Sequence, residues 1–286
     1  MRKEYIKVSI LIIIFLLFYS FFGTFNLNEY GKINNSQDFS FHFNTIKTKN
    51  FSNYPPLYHF LFSVIPLNEL QFYLINLILI CVVIPLLIFS ITKKAYSVAV
   101  YFCLTSLPHT LIYGATYPHT LILIFFLLYL KNKKLFFPLL ILATLTHKSG
   151  LMLFLSIFLI ELIILFYENF KLKIDSVFLS TGFLIGTKIT GIKEIILILT
   201  NLIPLPLIYF SKTIKDNKLL LLISILSLIT ATLNDIRAIS IMQTALILNF
   251  KMKKEIIKPM LILFSVLTIY YLINYGIATI KLIIFT

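Results

Sequence analysis

Long apolar stretches recur along the whole chain, and short polar segments separate them. An α-helix needs about 20 apolar residues to cross the hydrocarbon core of a bilayer, and a shorter stretch indicates a tilted helix or a paired half-span. We therefore predict an all-α, polytopic integral membrane protein with about eleven transmembrane helices, in a range of about nine to twelve. The predicted spans are 8–25, 71–92, 96–113, 118–130, 135–146, 151–167, 177–190, 194–211, 219–233, 237–250 and 259–280.

One polar segment, between the first predicted span and the second, is much longer than the others. We divide a single membrane domain, 1–286, into a first span at 8–25, an extracytoplasmic loop with short interfacial helices at 26–70, and the remaining transmembrane bundle at 71–286. A long loop inside a compact domain is usually functional or disordered. Candidate chemistry is therefore expected first in residues 26–70.

The first part of this loop predicts a short helix. In the run DFSFHFNTI, Asp38, His42 and Thr45 stand at i, i+4 and i+7, so a helix carries them on one face. We expect this helix to lie along the outer membrane surface. Phenylalanines flank Asp38, and burial among them would make its carboxylate a stronger base. Glu29, further upstream, is either part of the site or an ordinary solvated loop residue.

The second part of the loop, NYPPLYHFLFSVIP, predicts a turn followed by another short helix. The residue before a proline avoids the α region, and proline is tolerated in the first helical turn, so Tyr54 precedes the helix. The apolar residues 57–65 are too few to cross a bilayer. We expect this segment to dip into the membrane edge and to present Tyr58 and His59 to an outer cavity.

Composition agrees with a membrane protein, and the distribution of charge orients it. Hydrophobic residues make up 59% of the chain, mean hydropathy is +0.96, and charged residues make up 13%, against about 25% in soluble domains. The basic connections alternate with the others and contain 17 of the 25 basic residues: Arg2, Lys3, Lys7, Lys93, Lys94, Lys131, Lys133, Lys134, Lys171, Lys173, Lys212, Lys215, Lys218, Lys251, Lys253, Lys254 and Lys258. The positive-inside rule places them in the cytoplasm with the N-terminus, where they attract anionic membrane lipids. No basic-aromatic patch is present, so no nucleic-acid partner is expected.

The other connections must face outward, and they hold the reactive side chains. Four of the five histidines lie in or beside them: His42, His59, His119 and His147. Arg237 begins a predicted span, where a guanidinium is costly and by default marks a site. Its planar fork suits a phosphate, although an anchor that snorkels to the lipid head groups is the alternative reading. Each histidine is likewise either functional or an ordinary hydrogen-bonded residue.

Three stretches of the chain resemble the GT-C glycosyltransferases, which are polytopic enzymes that use polyprenyl-phosphate-linked sugars. They are the outer loop with Asp38 followed by YPPLYH, the stretch GATYPHTLILIFFLLYLKNKKLFFPLLILATLTHKSGLML, and the stretch NDIRAISIMQTALIL. They occur in the family's order and on one predicted side. The resemblance implies a small cell-envelope glycosyltransferase without a soluble carboxy-terminal domain. Such an enzyme transfers a sugar from a polyprenyl-phosphate-linked donor to a glycan, lipid or protein acceptor at the outer face of the plasma membrane.

The resemblance also implies roles for individual residues. Asp38 matches the loop carboxylate that acts as the base in an inverting transfer, and Arg237 matches the residue that holds the lipid phosphate. Lys148 would assist Arg237 there. The implied substrate-binding residues are Glu29, His42, Tyr54, Tyr58, His59, His147 and Asp235. The chain has no tryptophan, hence no WWD-type motif, and it has no DxD, HxxH or HExxH, so no metal cofactor is expected.

Other classes of protein stay open. A flippase or transporter of lipids or lipid-linked sugars would show internal repeats and charged residues at mid-membrane. We find no convincing repeat, and Glu161 is the only acidic residue deep in a predicted span. A non-catalytic membrane subunit, or a polymerase or ligase of related architecture, is also compatible with the pattern. Cys81 and Cys103 lie inside predicted spans, so no disulfide is expected, and no cleavable signal peptide is expected either.

Overall fold

The computed structural model describes residues 2–30, 37–52, 55–104, 107–108, 111 and 117–166, and the isolated helical positions 262, 265, 266 and 269. Helices are as follows: α1 (Arg2–Tyr30), α2 (Gln37–Thr48), α3 (Leu57–Ser63), α4 (Glu69–Ile78), α5 (Ile84–Thr92), α6 (Ala95–Leu104), α7 (Tyr117–Lys131), α8 (Phe136–Thr146) and α9 (Lys148–Phe166). A π-helical turn, Leu79–Val83, joins α4 to α5, and a 3₁₀ turn, Lys133–Leu135, precedes α8. The predicted all-α class is confirmed for these residues, which contain no strand.

Among the described residues, two helical segments are long and apolar enough to cross a membrane. They are Arg2–Phe21, within α1, and Glu69–Thr92, which runs from α4 through the π turn to the end of α5. The helix α7 is apolar but shorter. Described helices also occupy the predicted spans at 135–146 and 151–167 and the first half of 96–113. The predicted spans between 177 and 250 lie outside the described residues, so the count of about eleven stays a prediction.

Local sequence explains where the second of these segments begins, bends and ends. Asn68 and Gln71 form a capping box at the start of α4, in which each side-chain oxygen accepts a backbone N–H. The π turn directly precedes Pro85, which has no N–H to offer the preceding turn of an α-helix. Lys93, at φ 57°, ends α5 in the left-handed region and turns the chain towards α6.

The first helix runs antiparallel to the segment formed by α4 and α5. Near its start, Tyr5 contacts Phe89 edge to face, with ring centroids 4.8 Å apart. Near its middle, the carbonyl of Tyr19 accepts a 2.6 Å hydrogen bond from the hydroxyl of Tyr73. The end of α5 therefore lies beside the start of α1, and the start of α4 lies towards the other end of α1.

The helix α6 runs parallel to α1 and begins at the same end. The carboxylate of Glu4 accepts a 2.8 Å hydrogen bond from the backbone N–H of Ala95, the first residue of α6. Further along both helices, Phe15 and Phe102 stack with centroids 4.2 Å apart. The basic turn Lys93-Lys94 thus lies beside the start of α1. The helices α2 and α3, which connect the end of α1 to the start of α4, belong to the opposite end.

Candidate functional site: two buried histidine clusters

A pair of buried histidines joins the two short helices of the loop. Nδ1 of His42, on α2, lies 2.9 Å from Nε2 of His59, on α3. Both imidazoles are buried, with 2% and 0% of their surface exposed. One ring donates and the other accepts, and the tautomer decides which. This contact closes the loop by binding residues 17 positions apart in the sequence.

Aromatic rings surround this pair and remove it from water. Tyr58 lies edge to face with both imidazoles, and the ring of Phe51 stacks on His59. Burial lowers the pKa of His59 to about 4, although the backbone carbonyl of Pro55 opposes the shift. His59 is therefore neutral at physiological pH, so one of its ring nitrogens can accept a hydrogen bond.

Tyr58 is used for packing. We expected it to face an outer cavity, but its ring is fully buried and its hydroxyl donates a 2.9 Å hydrogen bond to Oδ1 of Asn76, on α4. The amide of Asn76 donates in turn to the carbonyl of Phe72. A buried hydroxyl needs such a partner, and this hydrogen bond fastens α3 to α4. His59 is buried beside it, against the rest of the loop.

The second cluster lies where α7 begins and where α8 passes into α9. His147, between α8 and α9, has extended backbone angles, and its Nδ1 accepts the backbone N–H of Ser149 at 3.2 Å. The hydroxyl of Ser149 lies 2.7 Å from that same nitrogen and 3.1 Å from Nε2 of His119, on α7. All three side chains are buried, and the two imidazole rings lie 4.6 Å apart.

The hydrogen-bond directions in this cluster follow from the helix cap. Because Nδ1 of His147 accepts a backbone N–H, it carries no proton. The Ser149 hydroxyl must then donate to Nδ1, and Oγ accepts the Nε2 proton of His119. The result is a directional chain of hydrogen bonds in which His119 donates to Ser149 and Ser149 donates to His147.

A glycine makes this tight turn between α8 and α9. The N–H of Gly150 bonds to the carbonyl of His147 at 2.9 Å. A Cβ at position 150 would lie 2.9 Å from Cβ of Ala143 and still closer to that residue's carbonyl oxygen. Only glycine allows the two backbones to approach so closely. The Thr-His-Lys-Ser-Gly run thus caps α9, brings the backbones of α8 and α9 close together, and supplies two side chains of the second histidine cluster.

The two clusters lie at the same end of the molecule. Phe39, on α2, packs edge to face on Tyr117, the first residue of α7, with centroids 5.7 Å apart. The helix α3 packs on α8, which ends directly before His147. Both contacts join the loop to the turns that the charge pattern assigned to the outer side. This end is opposite the Lys93-Lys94 turn.

Other predicted site residues are placed as follows. Asp38 stands on the first turn of α2, one turn before His42, and Glu29 stands in the last turn of α1, where only the backbone is described. Lys148 is exposed at the first position of α9. Tyr54, Asp235 and Arg237 lie outside the described residues. Among the described side chains, no group of three His, Cys, Asp or Glu could hold a metal ion.

Sequence reasoning assigned no role to two members of the second cluster, Ser149 and His119. The available signal was the spacing of His147 and Ser149, because a residue at a helix start often accepts from a backbone N–H two positions later. No family model, curated protein or solved structure matches the chain. The function must therefore be inferred from the chemistry of the two clusters.

Proposed function

We propose that the protein is an integral membrane glycosyltransferase of the GT-C type. It transfers a sugar from a polyprenyl-phosphate-linked donor to an acceptor hydroxyl at the extracytoplasmic face, with inversion at the anomeric carbon. The observation that carries the proposal is the folding of the outer loop. His42 bonds to the buried, neutral His59, so α2, the helix that bears Asp38, is fastened to α3.

The position of Asp38 supports its role as the base. Residues four apart on a helix lie on the same face, so Asp38 and His42 are neighbours on α2. Phe39, the next residue, is buried against α7. The proposal requires a partly dehydrated site at this face of α2, because loss of water destabilises a carboxylate relative to its protonated form and so strengthens it as a base.

The transfer needs a base more than an acid, because a polyprenyl phosphate is already a good leaving group. Asp38 takes the proton of the acceptor hydroxyl while the acceptor oxygen forms its bond to the anomeric carbon. The bond from that carbon to the phosphate oxygen breaks, and its electron pair stays on the phosphate. Arg237, with Lys148, stabilises that growing negative charge.

The decisive experiment replaces Asp38 by asparagine. The amide has nearly the same shape but cannot take a proton, so transfer of sugar from a polyprenyl-phosphate donor should fall by about 10²–10⁴-fold. The assay uses the full-length protein in proteoliposomes, with donor and product separated by chromatography. Glu69→Gln is the matched control, because Glu69 is an exposed carboxylate at the start of α4 and should tolerate the same change.

The outcomes separate the classes of function. Undiminished transfer by Asp38→Asn would remove Asp38 as the base. Absence of transfer by the wild-type protein across several donors would overturn the enzyme proposal. Equal translocation of a fluorescent lipid-linked sugar by the wild-type protein and by Asp38→Asn would then favour a flippase, because translocation requires no proton abstraction at this helix.

A further inference from the structure

The helix α3 is apolar on both of its faces. Its inner face packs into the loop through Tyr58, His59 and Phe62, all of them buried. Its outer face is exposed and continues past the helix end; its apolar residues are Phe60, Leu61, Val64 and Ile65. Val64 is 67% exposed. Apolar side chains that cluster in this way on one surface mark an interaction site.

A groove of about 610 Å³ lies beside this face, between the end of α2 and the connection from α3 to α4. Its apolar wall includes Val64, Ile65, Pro66 and Leu67. Its polar wall consists of Lys47, Lys49, Ser63, Asn68 and Gln71. No carboxylate is among the described residues that line it.

The polar wall of this groove offers mainly hydrogen-bond donors. The side-chain oxygens of Asn68 and Gln71 are already occupied by backbone N–H groups of the capping box. Their amide NH₂ groups are left to donate. Lys47 and Lys49 add two ammonium groups, and neither forms an ion pair with any described carboxylate. A site with such donors selects an anion.

We propose that this groove binds the phosphate of an anionic phospholipid from the surrounding leaflet. The acyl chains lie along Phe60, Leu61, Val64 and Ile65, and the phosphate lies between Lys47 and Lys49. Charge complementarity favours this occupant over a protein partner. The cationic groove matches the anionic head group of a phospholipid, and the adjoining apolar face matches its acyl chains. The lipid holds α2 and α3 on the membrane surface. The site is independent of glycosyl transfer and requires only that the loop meets the membrane.

The chain offers an unusually clean probe for the apolar half of the site. It contains no tryptophan, so Val64→Trp provides the only indole of the full-length protein. We expect its emission in phosphatidylglycerol vesicles to be quenched by brominated acyl chains and shielded from iodide. Ser52→Trp, on the exposed turn after α2, is the matched control and should show the reverse. Quenching of Val64→Trp by iodide but not by brominated chains would overturn the proposal, as would shielding from both quenchers by a second copy of the chain.

The lysines test the phosphate half. Short-chain phosphatidylglycerol is titrated into the detergent-purified Val64→Trp protein, and Kd is read from the shift of its emission. Reversing both charges, Lys47→Glu with Lys49→Glu, should weaken binding at least about tenfold and should leave phosphatidylcholine nearly unchanged. The control pair is Lys133→Glu with Lys134→Glu, two exposed lysines on the 3₁₀ turn before α8.

Folding of each variant is checked by its thermal midpoint and by gel filtration, and the milder pair Lys47→Gln with Lys49→Gln should give an intermediate Kd. Equal losses in the Lys47/Lys49 and Lys133/Lys134 pairs would reduce the effect to general surface charge and overturn the proposal. Equal affinity of the Val64→Trp protein with its native lysines for phosphatidylglycerol and phosphatidylcholine would overturn it as well. Neither result depends on sugar transfer, so the lipid-binding proposal can be overturned without overturning the glycosyltransferase proposal.

Discussion

A neutral imidazole offers a nitrogen lone pair as an acceptor and a protonated one offers none, so the protonation state of His59 decides whether it can accept a hydrogen bond from His42. Its pKa is lowered to about 4 by burial among the aromatic rings of the loop. The same burial couples this residue to the stability of the fold. A proton taken up by His59 must enter a place with no water to solvate the charge.

The first prediction at this scale concerns pH. The unfolded chain protonates His59 near pH 6.5, whereas the folded protein does so only near pH 4, so the unfolded state binds more protons between these values. The contribution of His59 to the free energy of unfolding is complete above pH 6.5 and falls as pH drops towards 4, by on the order of 3 kcal/mol. The thermal midpoint in detergent should therefore decrease from pH 7 to pH 5.

His59→Gln is the variant that checks this cause. Glutamine can still accept from His42 but does not titrate, so its midpoint should depend much less on pH over the same range. An unchanged pH dependence in His59→Gln would assign the effect to another group.

Individual contacts could be predicted from the sequence only where they are local. The helical spacing of Asp38 and His42 is visible in the run DFSFHFNTI, and it holds on α2. The contact between His42 and His59 is not visible there, because it depends on how two separate helices pack. The hydrogen-bond partner of the Tyr58 hydroxyl could not be predicted either, because Asn76 lies 18 residues away on another helix.

At the scale of elements, the short polar segments of the sequence predicted several helix ends correctly. The predicted break after residue 92 is the Lys93-Lys94 turn, where α5 ends at Thr92 and α6 begins at Ala95. The predicted span 135–146 is matched closely by α8. The π turn before Pro85 was not predicted, because an apolar run reads the same whether it forms an α-helix or contains one wider turn.

The turn between α8 and α9 carries the prediction at this scale. Gly150→Ala places a methyl group against the carbonyl of Ala143, and the helices must separate to accept it. We expect a loss of about 1–3 kcal/mol in unfolding free energy. The shift should also disturb the bonds of Ser149 to His119 and His147. Thermal unfolding in detergent measures the first effect.

Adding Ala143→Gly sharpens this test. It removes the Ala143 methyl group but leaves the carbonyl, which is the nearer obstacle, so the double variant should not recover wild-type stability. Full recovery would show that the two side chains, rather than the backbones, limit the approach of α8 and α9. The single variant Ala143→Gly supplies the helix-propensity baseline of about 1 kcal/mol.

The described part of the molecule has two chemically different ends. One holds the start of α1 and the Lys93-Lys94 turn, and the other holds both histidine clusters. Charge alternation along the sequence predicted this separation, because basic connections recur at every second turn. Arg237 lies outside the described residues, so its approach to Asp38 stays a prediction.

Cysteine labelling tests the orientation of these ends. In the wild-type chain Cys81 and Cys103 are buried, so single exposed cysteines report cleanly. We expect Ser52→Cys to react with a membrane-impermeant maleimide from outside intact cells and Lys133→Cys to react only after the membrane is opened. Labelling of both from the same side would place the basic turns and the loop in one compartment, contrary to the positive-inside assignment.

The bond from Glu4 to the N–H of Ala95 also has a consequence for biosynthesis. The partner of this N–H is a residue made some ninety positions earlier, so the start of α6 can be fixed beside the start of α1 only after both helices have been made. A processing peptidase that removed α1 would remove that partner and would uncover Phe102, against which Phe15 stacks. The first helix therefore supplies α6 with both a hydrogen-bond acceptor and a packing surface.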